Sequence, residues 1–188
     1  MRIITGKLKG RRIHIPKGLD VRPTTDRTKE SIFNVIDARV YLDGAMILDL
    51  FAGSGNLGFE AISRGAKRVT AVEKDPKNAK LIEKTAEEFE VQKQVRVFNA
   101  DVKQFLDGMP IPHHFIFCDP PYEYAFMHEM IDTVITQNWL TEEGWFILEH
   151  DKKHRFEEHP YCFFSKSYGR TIVSIFQKHP VDSQKTSS

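Results

Sequence analysis

Short apolar runs recur at residues 46–51, 68–73, 95–98, 114–118 and 144–149, bounded by glycine, proline or polar residues. Runs of this length, rich in β-branched and aromatic side chains, read as strands. Between them apolar residues fall at helical spacing. The plainest stripe is Phe126, Met127, Met130, Ile131, Val134 and Ile135, which core packing explains without any ligand. Strands alternating with helices predict an α/β fold, a parallel sheet wrapped by helices. Residues 161–167 and 171–177, joined around Gly169, predict a closing hairpin that adds one antiparallel strand. Arg2 to Thr5 and Arg12 to Ile15, around Gly6 and Gly10, predict a small N-terminal hairpin. Ile32, Phe33 and Ile36 mark one side of a helix that Thr24 or Thr25 can cap. No internal repeat is present.

Two strand ends carry chemistry. The run Ile47 to Leu50 passes into Phe51-Ala52-Gly53-Ser54-Gly55-Asn56-Leu57-Gly58, a glycine-rich turn opening a helix. Glycines 53, 55 and 58 form G-x-G-x-x-G, which reports close backbone approach to an adenosine cofactor without saying which one. Asp49, inside the strand, discriminates: a carboxylate there is unfavourable beside a pyrophosphate and favourable beside a cationic sulfonium. Glu73, about 20 residues beyond the glycine turn, ends the next strand where an acid accepts ribose hydroxyls. Asp101, after the third strand, is placed to accept from an adenine amine, or to cap the helix starting at Val102, or both. Phe51, Gly53, Ser54, Gly55 and Lys74 complete the candidate cofactor set. The second strand end is Asp119-Pro120-Pro121-Tyr122, a polar tip stiffened by two prolines and carrying an aromatic ring.

This order resembles the class I S-adenosylmethionine-dependent methyltransferases, and the Asp119 to Tyr122 tip resembles the signature of those that methylate an exocyclic nitrogen. Arg22-Pro23-Thr24-Thr25-Asp26-Arg27-Thr28-Lys29-Glu30-Ser31-Ile32-Phe33 narrows the resemblance to the bacterial 16S rRNA guanine-N2 methyltransferase family. It runs from about Arg2 to Gln177, with Gly169-Arg170-Thr171 matching the family's final hairpin. The resemblance implies a Rossmann-like, mostly parallel seven-stranded sheet with one antiparallel strand and helices on both faces. It also implies S-adenosylmethionine as cofactor and 16S rRNA, within a small ribosomal subunit or assembly intermediate, as partner. The chain departs from the family in carrying Glu123-Tyr124-Ala125 after the tip, where basic residues are expected.

An exocyclic amine is a poor nucleophile because its lone pair is delocalised into the ring. The Asp119 carboxylate and the Pro120 carbonyl can accept its two hydrogens and aim the lone pair at the methyl. The prolines hold those acceptors at fixed dihedrals. Tyr122 would stack on a base splayed out of the RNA. Arg2, Lys7, Lys9, Arg11, Arg12, Lys17 and Arg22 against the single acid Asp20 make the N-terminal arm locally basic, a phosphate grip with little sequence information. Arg22, Arg27 and Lys29 are further candidates for substrate phosphates.

Composition then bounds the picture. At 188 residues the chain fits one domain, spanning 1–179 with the basic arm at 1–22 and a disordered tail at 180–188, and buries roughly 70% of its unfolded surface. A formal charge of +1 and 28% charged residues announce no polyanion partner by themselves. No apolar run approaches the ~20 residues of a membrane span, and the first residues turn polar too quickly for a signal peptide, so a cytoplasmic protein is expected, with a monomer as the default state. Cys118 and Cys162 lie far apart with no C-x-x-C pattern, so neither disulfide nor zinc is indicated. His113-His114 read as loop or strand-edge residues, and no metal is expected.

Competing readings keep the tip and change the acceptor to adenine N6 in DNA or a glutamine amide in protein. The basic arm disfavours protein, and the lack of a target-recognition insertion disfavours DNA. A nicotinamide-dependent reductase and a non-catalytic RNA-binding module are the rivals from other classes.

Overall fold

The computed structural model describes residues 1–19, 26–121 and 123–181, without the side chains of 26 and 27. Its strands are β1 (Met46–Leu50), β2 (Arg68–Glu73), β3 (Val95–Asn99), β4 (His113–Cys118), β5 (Leu140–His150), β6 (Cys162–Tyr168) and β7 (Thr171–Phe176). Its α-helices are α1 (Asp26–Asp37), α2 (Asn56–Ser63), α3 (Pro76–Glu88), α4 (Val102–Leu106) and α5 (Met127–Thr136).

The strands form one sheet in the order β3-β2-β1-β4-β5-β7-β6. β1 to β5 run parallel, and β7 alone is reversed, pairing antiparallel with both β5 and β6. The chain moves outward from β1 to β3 and then returns to β4. The carboxyl ends of β1 and β4 therefore flank the switch point where doubly wound sheets bind ligands. The core has two layers. Phe33 of α1, Phe59 of α2 and Ile82 of α3 cover one face; Val102 of α4 with Met130 and Ile131 of α5 cover the other. Phe33 meets Phe117 of β4 at 5.6 Å between ring centroids. At the two sheet edges an exposed cation stands mid-strand, Arg96 in β3 and Lys166 in β6.

α3 begins as its sequence directs, with Asp75 accepting from the Lys77 and Asn78 amides and Pro76 in the first turn. β4 and β5 start earlier than the apolar pattern indicates, across a register shift between His113 and Phe115. His113 is consequently buried inside the sheet, not at an edge, and burial holds its imidazole down at about 4. His114 is exposed and accepts from the Met46 amide. Thr24, Thr25 and residues 182–188 lie outside the described residues; Val181 still donates to the Pro160 carbonyl.

The N-terminal hairpin is reduced to one antiparallel bridge, Arg2 with Arg12. The Ile4 and Thr5 amides, which a longer ladder would use, instead donate to the two carboxylate oxygens of Glu60 in α2, at 2.8 and 3.0 Å. Glu60 is fully buried, so the chain must bring donors to it. Beyond, the Lys7 amide donates to the Ser63 carbonyl and the Leu8 amide to the Ser63 hydroxyl, fastening the arm along α2. Gly6 makes this approach possible: at φ +85, a Cβ there would sit 1.8 Å from the Ser63 carbonyl oxygen. Gly6→Ala is expected to lift the arm and cost about 2–4 kcal/mol, read from urea denaturation. An unchanged midpoint would show that the arm contributes nothing to stability.

Candidate active site

At the switch point lies a cavity of about 460 Å³, within the size range of small-molecule sites. β1 delivers its first wall. Phe51 follows the strand at φ 58, a left-handed conformation that costs a non-glycine residue about 1–2 kcal/mol and breaks the extended chain there. The glycine turn that follows is held from outside: the Gly53 amide donates to one Glu73 oxygen at 2.8 Å, and the Asp75 amide donates to the other at 2.8 Å. Glu73 thus ties the turn to the start of α3, while each oxygen keeps lone-pair capacity for a ligand hydroxyl. Asn99 braces the same corner by donating to the Glu73 and Lys74 carbonyls.

Asp49 lines the cavity floor and is 3% exposed. Its Oδ2 accepts from the Gly58 amide at 3.1 Å. Burial, reinforced by the neighbouring Asp119 and Glu73 carboxylates, pushes its carboxyl up to about 8 despite that hydrogen bond. Gly58 leaves room for it, since a Cβ there would stand 3.2 Å from Oδ2 and 2.9 Å from Val69. At the rim, Asp101 caps α4 through the Lys103 amide and pairs with Lys74 Nζ at 3.1 Å. Lys74 above all holds the Asp101 carboxyl below the usual range. The cap is formed, and the same carboxylate lines the cavity.

β4 supplies the opposite wall. Cys118 is buried against Met130, with its thiol pushed up by burial, as an apolar strand residue should be. Next come Asp119 and Pro121, both lining the cavity, with Pro120 buried between them. Tyr122 lies outside the described residues. Tyr124 takes a place in the lining, its ring edge-on to Phe51 at 4.9 Å. Burial raises its hydroxyl to about 12, so it stays protonated.

Asp49, Phe51, Gly53, Ser54, Glu73, Lys74, Asp101 and Asp119 therefore meet in one cavity. Gly55 does not line it. A Cβ at Gly55 would press on Phe59 and Ile82, so this glycine serves the turn and the core beneath it. Sequence reasoning missed Asn56 and Tyr124, which no motif singles out.

The basic residues separate. Arg2 and Arg12, paired by the bridge, lie exposed at the cavity end of the arm, where Met1 Sδ accepts from the Ser54 hydroxyl. Lys7, Lys9 and Arg11 are exposed too, and Lys7 is held at the other end of α2, where its amide donates to the Ser63 carbonyl. Lys7 donates to Gln94, and Arg11 donates to the Glu88 carbonyl at the end of α3. Arg22 and the Arg27 side chain lie outside the described residues. Lys29 is not a phosphate contact. It is completely buried, donating to the Arg2 carbonyl and to Asn56, 3.5 Å from Glu60.

This sheet order and site define a class I methyltransferase, and similarity to known proteins agrees. The candidate methyltransferase yhhF of Escherichia coli superposes with a TM-score of 0.83 at 30% identity, over 96% of this chain and 99% of that one. A candidate rRNA methyltransferase of Bacillus subtilis, YlbH, is 35% identical over 184 residues, 95% of this chain and 99% of the relative. Ribosomal RNA small subunit methyltransferase D of E. coli K12 is 37% identical over 149 residues, 79% of this chain and 74% of the relative. Residues 1–177 match the family described as Conserved hypothetical protein 95, and the chain belongs to that family. It is a methyltransferase, and its cofactor is S-adenosylmethionine. The cavity fits that group: acceptors at Glu73 and Asp101 suit the hydroxyls and amine of adenosine, and Asp49 suits a cationic sulfur. No helix among the described residues is long and apolar enough to cross a membrane.

Proposed function

We propose that the chain methylates the exocyclic N2 of a guanine in 16S rRNA. One observation carries this reading: the Asp119-Pro120-Pro121 tip of β4 opens onto the same cavity as the Glu73-held glycine turn, so an amine presented at the tip lies beside the cofactor. When bound, S-adenosylmethionine supplies an electrophilic methyl group. The protein's part is to prepare the amine. Asp119 and the Pro120 carbonyl accept its two hydrogens and free its lone pair, and the Asp119 charge stabilises the cationic nitrogen that forms. The proton of that acidic product passes to water or to Asp119.

The rRNA substrate is supported by the name of the E. coli relative and by the exposed Arg2 and Arg12 at the cavity end of the arm, which suit phosphates. A small ribosomal subunit in the cytoplasm is the setting this implies. Transfer of labelled methyl from S-adenosylmethionine to small subunits from cells lacking this protein tests the proposal. N2-methylguanosine is the expected labelled nucleoside. Label in another nucleoside, or none with cofactor-bound enzyme, would overturn it.

A further inference from the structure

Asn56, the first residue of α2, lines the cavity and is 3% exposed. Lys29 Nζ lies 2.8 Å from its Oδ1. An ammonium only donates, so the amide oxygen must be the atom that faces it, and Nδ2 is turned the other way. That nitrogen is buried and has no hydrogen-bond partner, a costly state that a ligand acceptor would relieve. Lys29 is itself fixed by the Arg2 carbonyl at 2.6 Å and by Glu60, so turning the amide over would set its NH2 against an ammonium held in place. The start of α2 adds to the attraction. Gly55 caps it with no side-chain bond and its own first turn holds no acid, although Asp49 of β1 takes the Gly58 amide.

The sheet order says which part of the cofactor meets Asn56. Asp101 and Glu73, the adenosine acceptors, stand at the ends of β3 and β2. Lys29 belongs to α1, which packs through Phe33 on β4, so Asn56 faces the β4 side of the turn, away from the adenosine. The cofactor's remaining portion is an amino acid, and its anion is the α-carboxylate. Resting on the cofactor reading above, we propose that the Asn56 amide donates to that carboxylate, with Lys29 as the positioning residue.

Calorimetry with two probes tests this: S-adenosylhomocysteine, which carries the carboxylate, and 5′-methylthioadenosine, which lacks the amino-acid end. Asn56→Ala should weaken the first by about 10-fold or more and leave the second within twofold. Asn56→Asp retains the Lys29 acceptor and the shape but sets carboxylate against carboxylate, so its selective loss should be larger still. Lys29→Met should show the same selectivity, because an unheld amide no longer aims its donor. Unchanged S-adenosylhomocysteine affinity in Asn56→Ala, or equal weakening of both probes, overturns the assignment. Equal weakening in Lys29→Met alone overturns the positioning role. Wild-type protein binding neither probe would instead sink the cofactor reading itself, a failure seen before any variant is made.

Discussion

Asp119→Ala is expected to slow methyl transfer by ~10² or more in single turnover while S-adenosylhomocysteine still binds. Asp119 follows the last residue of β4 and is half-buried at the cavity mouth, so its removal leaves the strand and its packing in place. On the proposed mechanism, what disappears is the charge beside the nitrogen as it turns cationic, together with one of the two acceptors that localise its lone pair. Asp119→Asn, with an acceptor oxygen but no charge, should fall between the two. Calorimetry beside the kinetics separates lost chemistry from lost binding. A near-normal rate in Asp119→Ala would remove this residue from the mechanism.

Asp49 is expected to make cofactor affinity strongly pH-dependent. In the free protein its carboxyl is held up at about 8, from an ordinary value of 3.8, chiefly by burial. The folded state therefore binds more protons at this residue than the unfolded chain between pH ~4 and ~8. Its contribution to stability is complete below pH ~4, falls as pH rises through that window and is flat above it. Cation binding runs the other way. A positive sulfur in the cavity favours the carboxylate, so Asp49 gives up a proton as such a ligand arrives. Below pH 8, affinity for S-adenosylmethionine should rise with pH, approaching tenfold per unit. Affinity for the uncharged thioether S-adenosylhomocysteine should change much less. Asp49→Asn retains an acceptor for the Gly58 amide and should flatten the difference. Calorimetry in buffers of different ionisation enthalpy reads the released proton directly. A ratio of the two affinities that does not vary with pH would sink this account.

The parts of the site legible in the sequence are those where chemistry and backbone geometry share a short segment. An apolar strand entering Gly53 to Gly58 has few structural solutions, and one entering Asp119-Pro120-Pro121 has fewer, so both strand ends could be placed without coordinates. Glu73 and Asp101 follow from spacing. The hidden parts are pairings across the fold. Lys29 reads as a phosphate contact because the residues around it are polar, and its burial is made tolerable by partners distant in the chain, the Arg2 carbonyl, Asn56 and Glu60. Asn56 reads as filler inside a glycine motif until Lys29 fixes which end of its amide is left without a partner. The shortened hairpin has the same origin. The alternation of Arg2 to Thr5 is present, but the backbone donors it would commit to a ladder go to Glu60.

The placement of Arg96 and Lys166 bears on how the molecule behaves in a crowded solution. A seven-stranded sheet ends in two rows of unpaired backbone groups, each a template on which another chain could grow into fibrils. Here a neighbour adding edge to edge would have to bury a guanidinium at β3 or an ammonium at β6. Two like edges meeting would also set cation near cation. The outer strands thus act as gatekeepers, and the wide sheet that builds the catalytic crevice carries its own protection against aggregation.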